Sequence, residues 1–490
     1  LTASLTASLT DGTTTLDRDQ AEARLYGAVV ALRELTDGTS GRVAVMAHNS
    51  VETVLTHAAV ILAGLSAVPV SFHLTAGEVA YLLETSGAAL LVADAQTAAV
   101  AAEAAARAGG VRVVDTSLLA VEAQAPEDLR SLRPRPPMLF TSGTTGRPKP
   151  VEQPPTMFPR VDSVAELLTV FAENPLAQHR PHLVVGPLYH TGPLTAVRLL
   201  LAGTPLVVMP RFDAEGVLRA IQEHRIQGSV MVPTHFSRLL ALPEDLRASY
   251  DVSSLREVVH TGSACPVDVK RKMIEWWGPV LVEAYGGTEV GTTTSLDSTE
   301  WLAHPGSVGR AVPPFEVLVL DEDGREVPTG EPGQLCFRDA TGRGLVYAVD
   351  GLTGTTYGPG VFTLGEVGRV DEDGFVWITD RTADLVVSGG VNIYPAEVER
   401  VLLAHPDVED VAVFGVPVED LGEELRALVV VTGDVTPEDL MALCRSELAG
   451  FKCPRRLDLV DGLPRTTMGK LDKRVLRERY GAGVSTSDRS

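Results

Sequence analysis

Short apolar runs alternate with helical segments through most of the chain, and few architectures accept that pattern. Residues 20–36 carry an amphipathic helical period, followed by the strand-like run Arg42-Val43-Ala44-Val45-Met46 and a helical stretch from Val51 to Leu65. The runs Ala67–Val70, Ala89–Val92 and Val111–Val114 repeat the theme, separated by helical segments at 76–85 and 97–108. Strand-length apolar runs alternating with helices predict parallel sheets covered by helices on both faces. The alternation resumes with runs at 182–185, 205–208, 229–232, 257–260 and 280–283. Past residue 300 the texture changes to short segments bounded by turns such as Asp321-Glu322-Asp323-Gly324, Pro328-Thr329-Gly330 and Asp371-Glu372-Asp373-Gly374, which predict a β-rich subdomain. A compact α+β pattern then follows, with a helix near 395–404, strands near 408–416 and 425–432, and a helix near 437–449. With 490 residues, more than one core is expected. The reading is a large N-terminal α/β domain over 1–380, a hinge at 381–384 and a small mobile α+β domain over 385–490.

Composition removes several function classes. The formal charge of −22 argues against nucleic acid or an anionic membrane as a general partner. No apolar run reaches the roughly 18 residues that a membrane helix needs. The opening Leu1-Thr2-Ala3-Ser4, repeated as Leu5-Thr6-Ala7-Ser8, lacks a basic region ahead of an apolar core and reads as a frayed tail, not a signal peptide. Cys265, Cys336, Cys444 and Cys453 show no CxxC and no metal-ligand spacing, which suits a reducing cytoplasm.

Within this frame, four clusters carry chemistry. The first is Thr141-Ser142-Gly143-Thr144-Thr145-Gly146-Arg147-Pro148-Lys149, after the apolar run Met138-Leu139-Phe140. Glycines let backbone N–H groups approach an anion, hydroxyls add donors and the lysine adds charge, so the stretch reads as a phosphate cradle. It is not the usual P-loop, because Arg147 and Pro148 separate Gly146 from Lys149. The second is Tyr285-Gly286-Gly287-Thr288-Glu289, read as following a strand that ends at Val282. It offers an aromatic face, space, a hydroxyl and a carboxylate, and Mg²⁺ is well served by one carboxylate with phosphate oxygens. The third is Thr261-Gly262-Ser263-Ala264, at a strand end where open α/β sheets bind ligands. The fourth pairs Gly365-Glu366 with Arg381, a carboxylate for sugar hydroxyls beside a fork-shaped donor. Finally, the stretch from Phe451 to Tyr480 holds nine Lys/Arg against four Asp/Glu, for most of which a solvated face is as good a reading as a binding one. Lys470 stands apart, because Gly469-Lys470 on a loop can carry one charge into another domain's site.

Taken together, the ordered motifs resemble the adenylate-forming superfamily of acyl-CoA synthetases, luciferases and peptide-synthetase adenylation domains. The matching stretches are 141–149, Pro187-Leu188-Tyr189-His190, Gly262-Ser263-Ala264, Tyr285–Glu289, Asp371–Gly374, Ser388-Gly389-Gly390-Val391-Asn392-Ile393-Tyr394-Pro395-Ala396-Glu397 and Pro464–Lys470. Details such as Cys265-Pro266-Val267 and Trp276-Trp277-Gly278-Pro279 are similar to the bacterial acyl-CoA synthetases.

The resemblance implies ATP, Mg²⁺ and coenzyme A as co-substrates and cofactor, and two half-reactions. A carboxylate first attacks the α-phosphorus of ATP to give an acyl-adenylate and pyrophosphate. After the small domain rotates, the thiol of coenzyme A displaces AMP. It further implies that Thr141, Ser142, Gly143, Thr144, Thr145, Gly146 and Lys149 hold the outer phosphates, with Thr144, Glu289 and Lys470 catalytic and Glu289 carrying the metal. Tyr285, Gly286, Thr288, Ser263 and Ala264 surround the adenine end, and Glu366 and Arg381 take the ribose. His190, Gly192, Val232, Thr234, Gly262 and Gly287 form the acyl pocket, with His190 supplying shape and not proton transfer. Ser388, Gly389 and Gly390 line the thiol's tunnel, and Ala383 is the hinge.

Four positions depart from the family pattern: Pro150 after the loop lysine, Glu366 where Asp is usual, Ala383 in place of a polar hinge residue, and the small Gly287. No Asp stands near Tyr189-His190-Thr191-Gly192 to pair with an amino group, and ionisable residues are sparse at 232–236 and 284–288. An apolar acid, fatty or alicyclic, is therefore the expected substrate. The motifs leave open a ligase that loads an acyl carrier protein, and a non-catalytic nucleotide-binding relative. Monomer and homodimer also stay open.

Overall fold

The structure is a computed structural model and describes residues 7–36, 41–141, 148–321, 323–345, 356–358, 360–381, 386–393, 395–418, 420–464 and 473–481. The expected alternation is realised as two sheets that share the N-terminal part. One has four parallel strands in the order Ser66–Pro69, Arg42–Met46, Leu90–Ala93, Arg112–Asp115. The other has nine, running Arg310–Ala311, Gly291–Asp297, Leu281–Gly287, Glu257–His260, Gly228–Met231, His182–Val184, Leu206–Val208, Leu9–Thr10, Thr15–Leu16. Its central strands are parallel, as fully buried strands fed by crossover helices should be.

The helix Val51–Leu62 shows how the two sheets are joined. Eleven of its twelve residues are buried, so it reads as apolar all round, and it packs against the helices Arg18–Thr36 and Thr191–Leu201. Ser50 caps its start by accepting from Thr53 N–H. The preceding Asn49, itself buried, is a polar rivet. Its amide donates to the carbonyls of Gly186 (2.8 Å) and Met209 (3.2 Å), and its Oδ1 accepts from Leu188 N–H (2.9 Å). A buried amide with its partners met is specific for one geometry. Here it fixes the turn that presents Tyr189 and His190.

The β-rich region expected past residue 300 is a six-stranded antiparallel sheet that includes Phe315–Leu320, Gly333–Asp339, Glu366–Val370 and Val376–Arg381. Residues from Val386 onward build a five-stranded sheet of their own, dominated by the hairpin Val408–Val418 and Gly422–Val431. The helices Pro395–Leu403 and Pro437–Glu447 cover it, and it has a separate core around Val398, Val413, Ala427 and Leu440. Among the described residues no helix is long and apolar enough to cross a membrane, and the four cysteines are free.

The structure corrects one local reading and sharpens another. The strand expected to end at Val282 runs on through the glycines to Gly287, paired with Gly291–Asp297. Glycines usually weaken a strand, but this pair needs them: a Cβ at Gly286 would lie 1.9 Å from the Gly291 carbonyl oxygen. Lys149 likewise begins a strand, Lys149–Glu152, antiparallel to Met138–Thr141. The phosphate loop therefore joins two strands of a ribbon and does not open a helix, which separates it physically from a P-loop. Pro150 lies opposite Phe140 in that two-stranded ribbon. A strand with one neighbour tolerates the missing N–H.

Candidate active site

The elements above converge on one cavity of about 2190 Å³. Thr141 and Lys149, at the root of the phosphate loop, line it together with Ser263, Ala264, Tyr285, Gly286, Thr288, Glu289 and Glu366. His190, Gly192, Val232, Thr234, Gly262 and Gly287 line it as well, so the residues expected at the acyl end share one space with those expected at the nucleotide end. Gly389 and Gly390 close it from the C-terminal part. Ser388 is not among the lining residues. In the strand Val386–Ser388 its side chain lies on the face opposite Val387, which does line the cavity. Ser142, Gly143, Thr144, Thr145, Gly146, Ala383 and Lys470 lie outside the described residues, as does the side chain of Arg381.

Local contacts pre-shape the expected nucleotide end. Tyr285 Oη donates to Glu366 Oε2 at 2.7 Å, which ties the large sheet to the β-rich one. Glu366 is paired in register with Arg381, so carboxylate and guanidinium residues sit on neighbouring strands. Beneath them the buried Glu283 accepts from Lys270 Nζ at 2.6 Å and anchors the helix Val267–Trp277 under the strand. Burial pushes the Glu283 carboxyl up and the Lys270 amine down.

Glu289 is enclosed in the cavity wall. Burial raises its pKa, against the pull of a hydrogen bond from the Thr141 side chain and the charge of Lys149. A carboxylate held in this condition gains from a cation. With a hydroxyl at hand and phosphate oxygens as the remaining donors, the set is all hard oxygen and fits Mg²⁺.

The expected acyl end is framed by aromatic rings, of which motif reading singled out only Tyr189 and His190. His48 stacks on Phe72 at 4.1 Å between centroids, Phe72 meets Tyr189 edge-on at 5.2 Å, and Tyr189 lies 4.5 Å from His190. The chain of rings continues across to the C-terminal part, where Phe451 meets His73 at 6.2 Å. Desolvation, with some help from His73, lowers the His190 pKa to about 4. His190 is therefore neutral at working pH where it lines the cavity. His190→Phe is expected to change the preference among acids by about tenfold. The shape of the pH–rate profile between about pH 5.5 and 8 should stay the same. Loss of an acidic limb in that profile would mean that His190 handles a proton.

The largest departure from expectation concerns Lys452. It sits in the basic stretch that read equally well as a solvated face, yet it is only 8% exposed. Its Nζ donates to Glu78 Oε1 (2.8 Å) and Glu397 Oε1 (2.9 Å), and Ala449 N–H donates to Glu78 Oε2 (3.0 Å). Burial opposes the charge of Lys452, but Glu397 and Glu78 outweigh it and hold its pKa above the ordinary value. Glu78 belongs to the helix Ala76–Ser86 of the N-terminal part, so this buried trio clasps the two parts beside the cavity, which Lys452 lines. Only the neighbouring Gly450-Phe451, an apolar context for a lysine, hinted at it.

Comparison with known proteins agrees with this geometry. The AMP-binding enzyme family matches residues 7–344, and the AMP-binding enzyme C-terminal domain matches residues 397–470. A feruloyl-CoA synthase of Amycolatopsis is 34% identical over 86% of this chain and 84% of its own length. A long-chain-fatty-acid–CoA ligase of Mycobacterium tuberculosis is 31% identical over 90% of this chain and 89% of its own. Among solved structures, a double mutant of o-succinylbenzoate-CoA synthetase from Bacillus subtilis, bound with its product analogue, superposes with a TM-score of 0.81 at 26% identity, covering 97% of this chain and 96% of that one. The same enzyme in complex with its acyl-adenylate intermediate gives 0.64 at equal identity, covering 98% and 96%. The arrangement of this chain's two parts is thus closer to the product-analogue form. The chain belongs to the AMP-binding enzyme family, in its acyl-CoA synthetase branch.

Proposed function

We propose that the chain is an AMP-forming acid–thiol ligase that activates an apolar carboxylic acid as its acyl-adenylate and passes the acyl group to coenzyme A, with release of AMP and pyrophosphate. The observation that carries this reading is the single cavity in which phosphate-loop, ribose-type, acyl-type and C-terminal glycine residues meet. Chemistry there needs little acid–base work. The acid's own carboxylate is the nucleophile, pyrophosphate is the leaving group, and the site must orient them and stabilise charge on phosphate oxygens.

In this reading the loop 141–149 and Lys149 orient the outer phosphates, Tyr285 and Ser263-Ala264 flank adenine, and Glu366 with Arg381 takes the ribose. Glu289 would hold Mg²⁺, which when bound would neutralise charge on the phosphates. The apolar walls, including Val232, Met231 and Leu364, suit an acid with a hydrocarbon body. The thiol arm enters past Gly389-Gly390. A Cβ at Gly390 would press to 3.3 Å from Val232, at a φ of +81° that side chains rarely adopt, so this crossing is built for a bare backbone. Residues 1–380 act as one domain and 385–490 as the moving one, turning on the hinge 381–384. The four free thiols suit a reducing, cytoplasmic setting.

The test is a panel of carboxylic acids offered with ATP and either coenzyme A or a phosphopantetheinyl carrier protein, reading pyrophosphate and thioester together. Thioester on coenzyme A with acid-dependent pyrophosphate is the expected result. Thioester on the carrier alone would replace the proposed acceptor, and nucleotide binding without pyrophosphate from any acid would remove the ligase reading.

A further inference from the structure

The cavity does not end in hydrocarbon. The helix Thr191–Leu201 points away from the nucleotide end, and Thr191, Gly192, Thr195 and Arg198 all line the cavity from one face of it. At its start Thr191 Oγ1 lies 3.3 Å from Thr288 Oγ1, beside the carboxylate-bearing motif. Arg198 stands two turns on, about 10 Å along the axis. Its Nη1 donates to the Met157 carbonyl and its Nη2 to Thr195 Oγ1 at 2.9 Å, which leaves part of the guanidinium fork unengaged. Among the described residues it forms no ion pair with a carboxylate. Burial alone draws its pKa down, to about 10, so it remains a cation at neutral pH. Thr195, which it bonds, and Thr156, next to the Met157 it bonds, add hydroxyls to the cavity lining, while its other side borders a small apolar pocket with Ile61, Phe158, Leu194 and Val197.

An enclosed cation without a counter-charge is costly, and the cost is recovered only when an anion arrives. We propose that Arg198 is a specificity-determining residue that binds a second carboxylate at the far end of the acyl substrate. The acid, in this view, is dicarboxylic with an apolar body, activated at one end and held at the other. A guanidinium fork pairs with a carboxylate through two parallel hydrogen bonds, which selects for charge and for length together. This inference rests on the ligase reading and adds to it the class of acid.

The test compares matched monoacids, α,ω-diacids and diacid monomethyl esters. Chains of about six to ten carbons would span the 10 Å. In the wild type the diacid of the best length is expected to exceed both its monoacid and its monoester in kcat/KM by about 10²-fold. Arg198→Met should lower the diacid's kcat/KM by about 10²-fold and the monoacid's far less. Arg198→Lys, which keeps charge without the fork, should fall between. The KM for ATP should stay unchanged in both variants. A wild type that turns over monoacids but shows no preference for diacids overturns the inference and leaves the ligase reading standing. Equal losses for both acids, or a raised KM for ATP, overturn it too. Absence of turnover with every acid overturns the ligase reading and this inference with it.

Discussion

Lys452→Met is expected to slow thioester formation from supplied acyl-adenylate and coenzyme A by about 10²-fold, while acid-dependent pyrophosphate release stays within a few-fold of wild type. The substitution keeps the length of the side chain and removes its charge. It leaves Glu78 and Glu397 facing each other in a buried setting where Lys452 Nζ now lies 2.8 and 2.9 Å from them. Breaking a buried pair by removing one partner costs about 3–5 kcal/mol, chiefly because a charge is left uncompensated. Glu78 and Lys452 come from different parts of the chain, so that cost falls on the docked arrangement more than on the fold of either part. The arrangement they hold is the one nearer the product-analogue complex, hence the step that should suffer is the second. Glu78→Gln is the gentler control and should show the same asymmetry at smaller size. Stopped-flow or quench measurement of each half-reaction decides the matter. Equal slowing of both would reduce the trio to a structural contact.

Lys470→Ala is expected to do the reverse. Adenylation should fall by about 10²-fold or more, the scale for removing one preorganised donor from developing phosphate charge, while thioester formation from supplied adenylate is largely spared. Lys470 follows a glycine between the strand Arg456–Leu459 and the helix Lys473–Gly481, so one domain can bring its charge to the other's site in one arrangement and withdraw it in the next. Two lysines in one small domain would then serve opposite half-reactions, Lys452 as part of a clasp and Lys470 as a charge delivered to the reacting atoms. Parallel loss of both half-reactions in Lys470→Ala would contradict a site that works in two arrangements.

What was legible in the sequence followed from how local each signal is. Strands such as Arg42–Met46 and Glu257–His260 sit where the apolar runs predicted them, because a short buried run between turn residues has few other uses. That Tyr285, Thr288 and Glu289 share one cavity was legible because a hydroxyl, glycines and a carboxylate near a strand end suit one chemical purpose. The continuation of a strand through Gly286-Gly287 was not, since its cause is the close approach of Gly291 from the paired strand. Nor was the clasp: Glu78 and Lys452 are 374 residues apart, and each alone looks like ordinary surface charge. Arg198 was hidden differently. On a helix it reads as a side chain reaching for water, and only the fold reveals that what it reaches is the cavity.

The central claim is that the acid is activated before the thiol takes part, and a single-turnover experiment without coenzyme A tests it most directly. Enzyme in excess over ATP, with Mg²⁺ and an accepted acid, should release about one equivalent of pyrophosphate per bound ATP and hold the acyl-adenylate, which later coenzyme A converts to thioester. Pyrophosphate that appears only once coenzyme A is added, or an acyl-adenylate that coenzyme A fails to consume, would contradict it.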